Sequence, residues 1–290
     1  MEYPKISIIT PTFNRPDFLE ETIVSVLSQD YPNLEYIIID GGSNHETLKI
    51  IEKYKTQLSY WVSEPDEGMY HAIQKGFEKS TGEVMAWLNS DDKYYPGALR
   101  IVGQIFSEIE QAEWIIGTPS LLNQDGDCVK IFPNTKWSKS RFWIGDFRWI
   151  QQESVFWRRS LWKKSGNTLD LAKSLAADFE LWCRFFKIAK LHNVETTLGG
   201  FRSHGNQLSV SREEIYEKEV RESLKYIKPQ KFEILRFILL KSLWWTKNSL
   251  VRLNLQVTNF IASVIFILIE KIHFYPSTIY FDFKNKIWRV

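Results

Sequence analysis

The sequence predicts an α/β fold, a mostly parallel sheet with helices on both faces. Three observations predict it. Continuous apolar runs, KISIIT at 5–10 and LEYIIID at 34–40, read as strands buried on both faces. Segments with helical apolar spacing separate such runs. Acidic residues stand just past the predicted strand ends: Asp40, Asp66, Asp91 and Asp92. In sheets of this kind, ligands bind outside the carboxyl ends of the strands.

The elements follow in order. The first strand covers 5–10 and closes on Pro11. Residues 16–29 place Phe18, Leu19, Ile23, Val26 and Leu27 at helical spacing. Pro16 opens that helix, where its missing N–H costs nothing. The second strand, 34–40, ends on Asp40, and GGS breaks the chain before a helix over 45–55. A third strand over 58–63, a helix over 67–80 and a fourth strand over 83–88 come next. After Asp91 and Asp92, residues 96–109 read as helix and EWIIG at 113–117 as strand. From 118 to 150 the pattern is irregular and aromatic. Residues 158–165 and 174–188 read as helices, 191–200 as a strand region and 201–209 as a polar loop. An amphipathic helix over 212–227 closes at Pro229.

Composition narrows the function. The chain has 290 residues, 44% apolar and 25% charged, which supports an ordinary packed core. A net charge of +2 gives no general basic stripe, so nucleic acid is not an expected partner. Most of the 12 tryptophans are expected in the core, with sugar stacking as the minority role. Cys128 and Cys183 form neither a metal spacing nor a redox pair. Two cysteines fit a reducing compartment, and MEYPKISIIT lacks a leader pattern, so a cytoplasmic location is expected. The stretch DGGSNHE lacks G-x-G-x-x-G, which argues against a dinucleotide dehydrogenase.

Charge is uneven along the chain. Residues 230–290 hold nine Lys/Arg against three Asp/Glu, whereas the preceding body is net acidic. The predicted boundary therefore separates a body, 1–228, from a basic, aromatic helical extension, 229–290. The apolar run 255–269 is interrupted by Gln256, Thr258, Asn259 and Ser263. It falls short of the roughly 20 apolar residues that span a bilayer. Two roles stay open. One is an interfacial helix with Trp244 and Trp245 at headgroup level, peripheral on the inner face of the cytoplasmic membrane. The other is packing against the body or a second copy.

The adjacent carboxylates Asp91 and Asp92 repel each other and cost free energy to desolvate. A divalent cation between protein and phosphate gives them a purpose. Hard oxygen ligands suit Mg²⁺ or Mn²⁺, and Mg²⁺ is often held by one or two carboxylates plus substrate phosphates.

Five segments appear in a fixed order: TPTFNR (10–15), DGGS (40–43), EPDEGMYHAIQKG (64–76), LNSDD (88–92) and AADFELWCRF (176–185). Together they resemble the family 2 glycosyltransferases, over roughly residues 5–210. The resemblance implies the GT-A fold, a Rossmann-like nucleotide-diphospho-sugar transferase. It divides the body into a nucleotide-sugar half, 1–117, and an acceptor and base half, 118–228. It places Thr10, Pro11 and Phe13 near the nucleobase, and Asp40 on uracil or ribose. His45 stands where the family commonly has an acid, while Thr47 fits. Asp66 is implied as a nucleotide contact, with Gly68 turning close to the ligand. His71 replaces a usual acid and Gln74 a usual Asn; Lys75 reads as a solvated charge. Asp91 is implied near the ribose and Asp92 on the metal.

The same resemblance makes Asp178 the base for the acceptor hydroxyl. A helix N-terminus should lower its pKa and keep it ionised. Glu180 is the other candidate base, but it points to a different helix face. IQQESVFWRRSLW (150–162) resembles the segment crossing the acceptor cleft, with Gln152 the implied contact; Arg158 and Arg159 are cleft or surface charges. FRSHGNQLS (201–209) resembles an R-x-H-x-x-Q-x-S signature. There His204 would bind metal or diphosphate, and Arg202, Gln207 and Ser209 phosphate. The implied reaction is an inverting transfer from a nucleotide-sugar, UDP-sugar favoured, to a saccharide or lipid-linked saccharide. A divalent cation would assist it. The rivals are a non-catalytic sugar-nucleotide-binding subunit and a sugar nucleotidyltransferase, whose Gly/Arg/Lys-rich loop TPTFNR does not match.

Overall fold

A computed structural model describes residues 3–133, 135–144, 150–204, 212–227, 234–252, 260–261, 263–265 and 277–290. The chain opens as β1 (Ile6–Thr12), α1 (Pro16–Leu27), β2 (Leu34–Asp40), α2 (His45–Tyr54), β3 (Tyr60–Ser63), α3 (Met69–Lys79) and β4 (Val84–Trp87). All seven residues of β1 are buried, so both of its faces are covered, as its apolar run requires. β1 runs past the predicted end, with Pro11 opposite Ile39 and Thr12 opposite Asp40. Pro11 breaks no ladder, because the last bond from β4 reaches Ile9 O from Leu88 N.

The next elements are β5 (Lys93–Tyr94), α4 (Ala98–Glu108) and β6 (Trp114–Ile116). The stretch expected to be irregular contains β7 (Ser120–Leu122), β8 (Cys128–Ile131) and α5 (Lys139–Ile144). Then come β9 (Val155–Arg158), α6 (Arg159–Lys164), α7 (Ala177–Ile188), β10 (Leu191–Val194) and β11 (Gly199–Arg202). The chain closes with α8 (Glu213–Ser223), α9 (Ile234–Arg252), β12 (Ser277–Asp282) and β13 (Ile287–Arg289).

Among the described residues, nine strands form one sheet in the order β13-β12-β10-β6-β9-β4-β1-β2-β3. Only β9 and β13 run against the rest. A small second sheet, β5-β11-β7-β8, lies past the end of β4. Its β5–β11 pairing sets Gly199 opposite Tyr94, so the chain after Asp92 is tied to the chain before His204.

Two expectations are corrected here. Residues 155–158 do not cross a cleft; they form a central strand between β4 and β6. Arg158 donates to the carbonyls of Phe106, Ile109 and Ala112, and Arg159 to Gly82 O and Ser80 Oγ. These arginines fasten segments that precede β4 and β6, at the end of the sheet away from the acidic residues. The predicted boundary at 228 also shifts. The extension is not all helical, because β12 pairs with β10 and its last residues complete the main sheet.

Trp87, Trp114, Trp157, Trp162 and Trp182 are buried, which matches the expected core role. Trp182 stacks on Trp87 at 5.8 Å and on Trp114 at 5.7 Å. Offset aromatic contacts of this kind add to the area they bury. The cluster joins β4 and β6 to α7, the helix that carries Asp178.

Candidate active site

The ends of β1 and β2 shape one side of the site. Thr10 is buried and its hydroxyl bonds to Tyr36 at 3.0 Å. Pro11 is buried too. Both lie at the strand end where the resemblance implies the nucleobase. Phe13 is 58% exposed and does face solvent. Asp40 has no exposed surface; it accepts from Gly42 N, Ser43 N, Ser43 Oγ and Ser63 Oγ. In this structure its carboxylate holds the turn after β2. The cap of α2 is Asn44, which accepts from Thr47 N.

Asp66 is half-buried and accepts from Gly68 N at 2.8 Å. Gly68 sits at φ +117°, where a side chain would be strained. A Cβ on Gly41 would lie 2.8 Å from Asp66 Oδ2 and 3.3 Å from a Phe13 ring carbon. Gly41, Asp66 and Phe13 thus meet at one spot. His71 Nδ1 accepts from Glu67 N, Gln74 Oε1 from Leu169 N, and Lys75 pairs with Glu64. These three serve local structure.

The turn after β4 separates the two adjacent carboxylates. Asp92 is 1% exposed and accepts from Arg202 N at 2.8 Å and Asn89 Nδ2 at 3.3 Å. Burial, with the neighbouring Glu153 and Asp91, holds its pKa well above the usual carboxylate range. Asp91 is half-buried, and its Oδ2 lies 3.0 Å from His204 Nε2. The His204 ring stacks on Phe18 at 5.1 Å. Of the two carboxylates, that of Asp91 is the more accessible, whereas Asp92, the implied metal ligand, is buried.

Do these residues fit a divalent cation? Neighbouring ligands of an octahedral ion bound at 2.0–2.1 Å stand about 3 Å apart. The Asp91–His204 separation matches. Among the described residues no cluster of three His, Cys, Asp or Glu could hold a metal. A cation here would therefore complete its shell with diphosphate and water.

Arg202, implied as a phosphate contact, braces the turn in this structure. It is 1% exposed and donates to Asp91 O, Gln124 O and Glu21 Oε2, with its guanidinium 4.9 Å over Phe18. Gln152 is likewise buried. It donates to Trp87 O at 2.6 Å and accepts from Asn89 Nδ2 at 3.4 Å, so it supports the LNSDD turn. Gln207 and Ser209 lie outside the described residues.

Asp178 stands in the first turn of α7. Tyr70 Oη approaches its Oδ1 at 3.1 Å, and Leu175 O at the same distance. The residue is partly exposed while its carboxyl lies deep. Burial raises its pKa to about 6, against the opposing pull of the Phe179 N–H and the Tyr70 hydroxyl. The expected depression by the helix N-terminus is corrected: dehydration outweighs it. Glu180 is locked to Arg184, at 2.9 Å to each oxygen from Nε, which leaves Asp178 as the available base of the two.

Three positioning residues escaped the sequence reading. Glu153, 2% exposed, is raised chiefly by burial and also by the charges of Asp91 and Asp178. Glu219 on α8 accepts from the N–H groups of Ser174, Leu175 and Ala176, the segment leading into Asp178. Glu21 bridges Lys93 and Arg202. A carboxylate on an amphipathic helix gives no sequence signal for such roles.

The chain is similar to known glycosyltransferases. Residues 7–111 match glycosyl transferase family 2. An uncharacterized glycosyltransferase of Rickettsia prowazekii is 28% identical over 212 residues, covering 70% of this chain and 65% of that protein. A Bacillus subtilis protein named, provisionally, as the teichuronic acid biosynthesis glycosyltransferase TuaG is 34% identical over 132 residues, 44% of this chain and 52% of its own. The chain thus spans less than two thirds of the length of these relatives. Among solved structures, S. aureus TarS 1–349 in complex with UDP-GlcNAc aligns with TM-score 0.63 at 17% identity, covering 91% of this chain and 81% of that one. That likeness shows a common fold.

Proposed function

Residues 7–111 are a family 2 glycosyltransferase segment on a GT-A fold, and from that premise we propose that the protein transfers a sugar from a nucleotide-sugar to a hydroxyl acceptor. One observation carries the reading: Tyr70, four residues past Asp66, bonds to Asp178 Oδ1 at 3.1 Å, so the base candidate stands beside the segment expected to bind the nucleotide.

Phe13, Gly41 and Asp66 bind the nucleoside. Asp91 and His204 would hold a divalent cation, Mn²⁺ or Mg²⁺, which when bound neutralises the diphosphate as it leaves. Asp178 accepts the proton of the acceptor hydroxyl while that oxygen bonds to the anomeric carbon and the carbon–phosphate-oxygen bond breaks. The single displacement inverts the anomeric centre. A pKa near 6 suits this task, because the carboxylate is ionised at neutral pH yet basic enough to take a proton. Tyr70 holds it in place.

A UDP-sugar is the favoured donor, since the TarS neighbours hold UDP-GlcNAc and UDP. The acceptor is a saccharide or lipid-linked saccharide of the cell envelope, in keeping with the teichuronic acid assignment of the relative in Bacillus subtilis. Residues 229–290 would bring the enzyme to a membrane face or to a second copy.

Donor turnover tests the proposal. Purified protein with Mn²⁺ and a panel of UDP-, GDP- and dTDP-sugars should release nucleoside diphosphate slowly alone and faster with acceptor. Metal-dependent binding with no release of nucleoside diphosphate would favour the non-catalytic binder instead.

A further inference from the structure

The helix α9 carries four basic residues, Arg236, Lys241, Lys247 and Arg252, and no acidic one over Ile234–Arg252. Its solvent-facing stripe is nonetheless apolar. Leu235 is 82% exposed, Ile238 54%, Leu239 50% and Trp245 71%. Positions 235, 238, 239, 242, 245 and 246 fall on one face at helical spacing. The two hydroxyls in that stripe are turned inward: Ser242 Oγ donates to Ile238 O and Thr246 Oγ1 to Ser242 O, both at 2.9 Å. Bonded back to the helix, they add little polarity to the face. Further along, Phe260 is 71% and Val264 40% exposed.

Two of the cations border this stripe. Lys241 and Arg252 are exposed at its border. Lys247 lies 4.3 Å over the Trp244 ring, and Lys241 5.5 Å over Phe237. Basic side chains laid along aromatic and apolar bodies can extend their charged ends to an interface.

We propose that this face of α9 docks on an anionic lipid surface, lying in the headgroup plane. Charge decides between occupants. A second copy packed face to face would set Lys241 and Arg252 against their equivalents with no acid on either helix to offset them. An anionic bilayer supplies both the apolar depth for Leu235, Ile238, Leu239 and Trp245 and the counter-charge for the basic border. Among the described residues no helix is long and apolar enough to cross a membrane, which fits a helix that lies on the surface. The inference goes beyond the transfer reading and does not depend on it.

The test is co-sedimentation of the full chain, without donor, on phosphatidylcholine vesicles and on vesicles mixed with phosphatidylglycerol. Binding is expected on the anionic vesicles only, and should weaken as salt rises. Lys241→Gln with Arg252→Gln should weaken it roughly thirtyfold. Leu235→Gln with Ile238→Gln and Leu239→Gln should abolish it even at low salt, with an unchanged melting curve because these side chains are exposed. Failure of the wild-type chain to bind anionic vesicles would overturn the proposal. So would a lipid-free dimer that the triple variant dissolves, since a second copy would then cover the face. Neither result would touch the donor-turnover assay.

Discussion

Asp91 Oδ2 and His204 Nε2 meet at 3.0 Å across the gap between β4 and β11, 113 residues apart in sequence. Its neighbour Asp92 faces inward, where Arg202 N and Asn89 take its oxygens. The two adjacent carboxylates should therefore respond differently to amidation. Outer partners of metal ligands alone are worth about 10–100-fold in affinity, so Asp91→Asn should weaken Mn²⁺ affinity at least about 100-fold. Asp92→Asn should leave it within about threefold and change stability by about 1 kcal/mol, the scale of one hydrogen bond. Mn²⁺ titration followed by thermal melting checks both. A normal response in Asp91→Asn with a lost one in Asp92→Asn would restore the opposite division.

The acid limb of kcat/KM should fall near pH 6, where Asp178 gains its proton. Activity is full above that value and lost below it. Tyr70→Phe removes a hydroxyl that favours the ionised form, so the limb should move to higher pH. Asp178→Asn should lower transfer by about 10²–10⁴-fold with donor affinity retained. Near wild-type turnover of that variant with a true acceptor would remove Asp178 as base.

Glu219 should act on catalysis through Asp178. Glu219→Ala frees three N–H groups ahead of α7 and should cost about 1–3 kcal/mol of stability and lower kcat with little change in donor KM. Glu219→Gln keeps an acceptor oxygen but loses a charge that raises Asp178. Its acid limb should move to lower pH, the reverse of Tyr70→Phe. Identical pH profiles for Glu219→Gln and wild type would leave Glu219 a purely structural clasp.

Gly41→Ala places a methyl 2.8 Å from Asp66 Oδ2. The flexible carboxylate gives way, so stability should change by only about 0.5 kcal/mol. Donor binding should lose about 1.5–3 kcal/mol, the scale of a hydrogen bond to a charged group. Calorimetric titration with UDP measures it, and unchanged UDP affinity would move the nucleoside away from Asp66.

The strands β1, β2 and β4 were legible because a strand buried on both faces must be apolar at every position. The acidic edge was legible for the same reason: polar residues begin where the burial ends. What adjacent letters could not reveal is direction. Asp91 and Asp92 differ only in which way one turn faces, and that turn is set by β5 pairing with β11 a hundred residues later. The bracing bonds of Arg202 and Gln152 were hidden for the same cause, since a polar residue in a motif reads alike whether it touches ligand or braces the motif. The pKa of Asp178 was missed because the dehydration around it comes from packing, whereas the helix N-terminus is local. A signal for the final hairpin was present in STIYFDFKNKIWRV, with β-branched and aromatic residues on either side of a polar turn. Asp282 accepts from Lys284 N and Asn285 N there, and Lys286 adopts φ +55°.

Because β12 and β13 return to the main sheet, the stretch between residues 228 and 276 is a loop-out moored at both ends, not a free tail. Both ends of that stretch are fixed to the body, one at the helical turn closing on Ile227 and the other at β12 beside β10. The sheet and the lipid-facing helix are thus kept within a bounded distance of each other, which confines the reach of the sugar-transfer pocket above a surface. It also changes how the segment must be dissected. Removing everything after 229 would strip a strand from beside β10 and leave a raw edge open to aggregation. Bridging 228 to 277 with a short linker would remove the helix and spare the sheet.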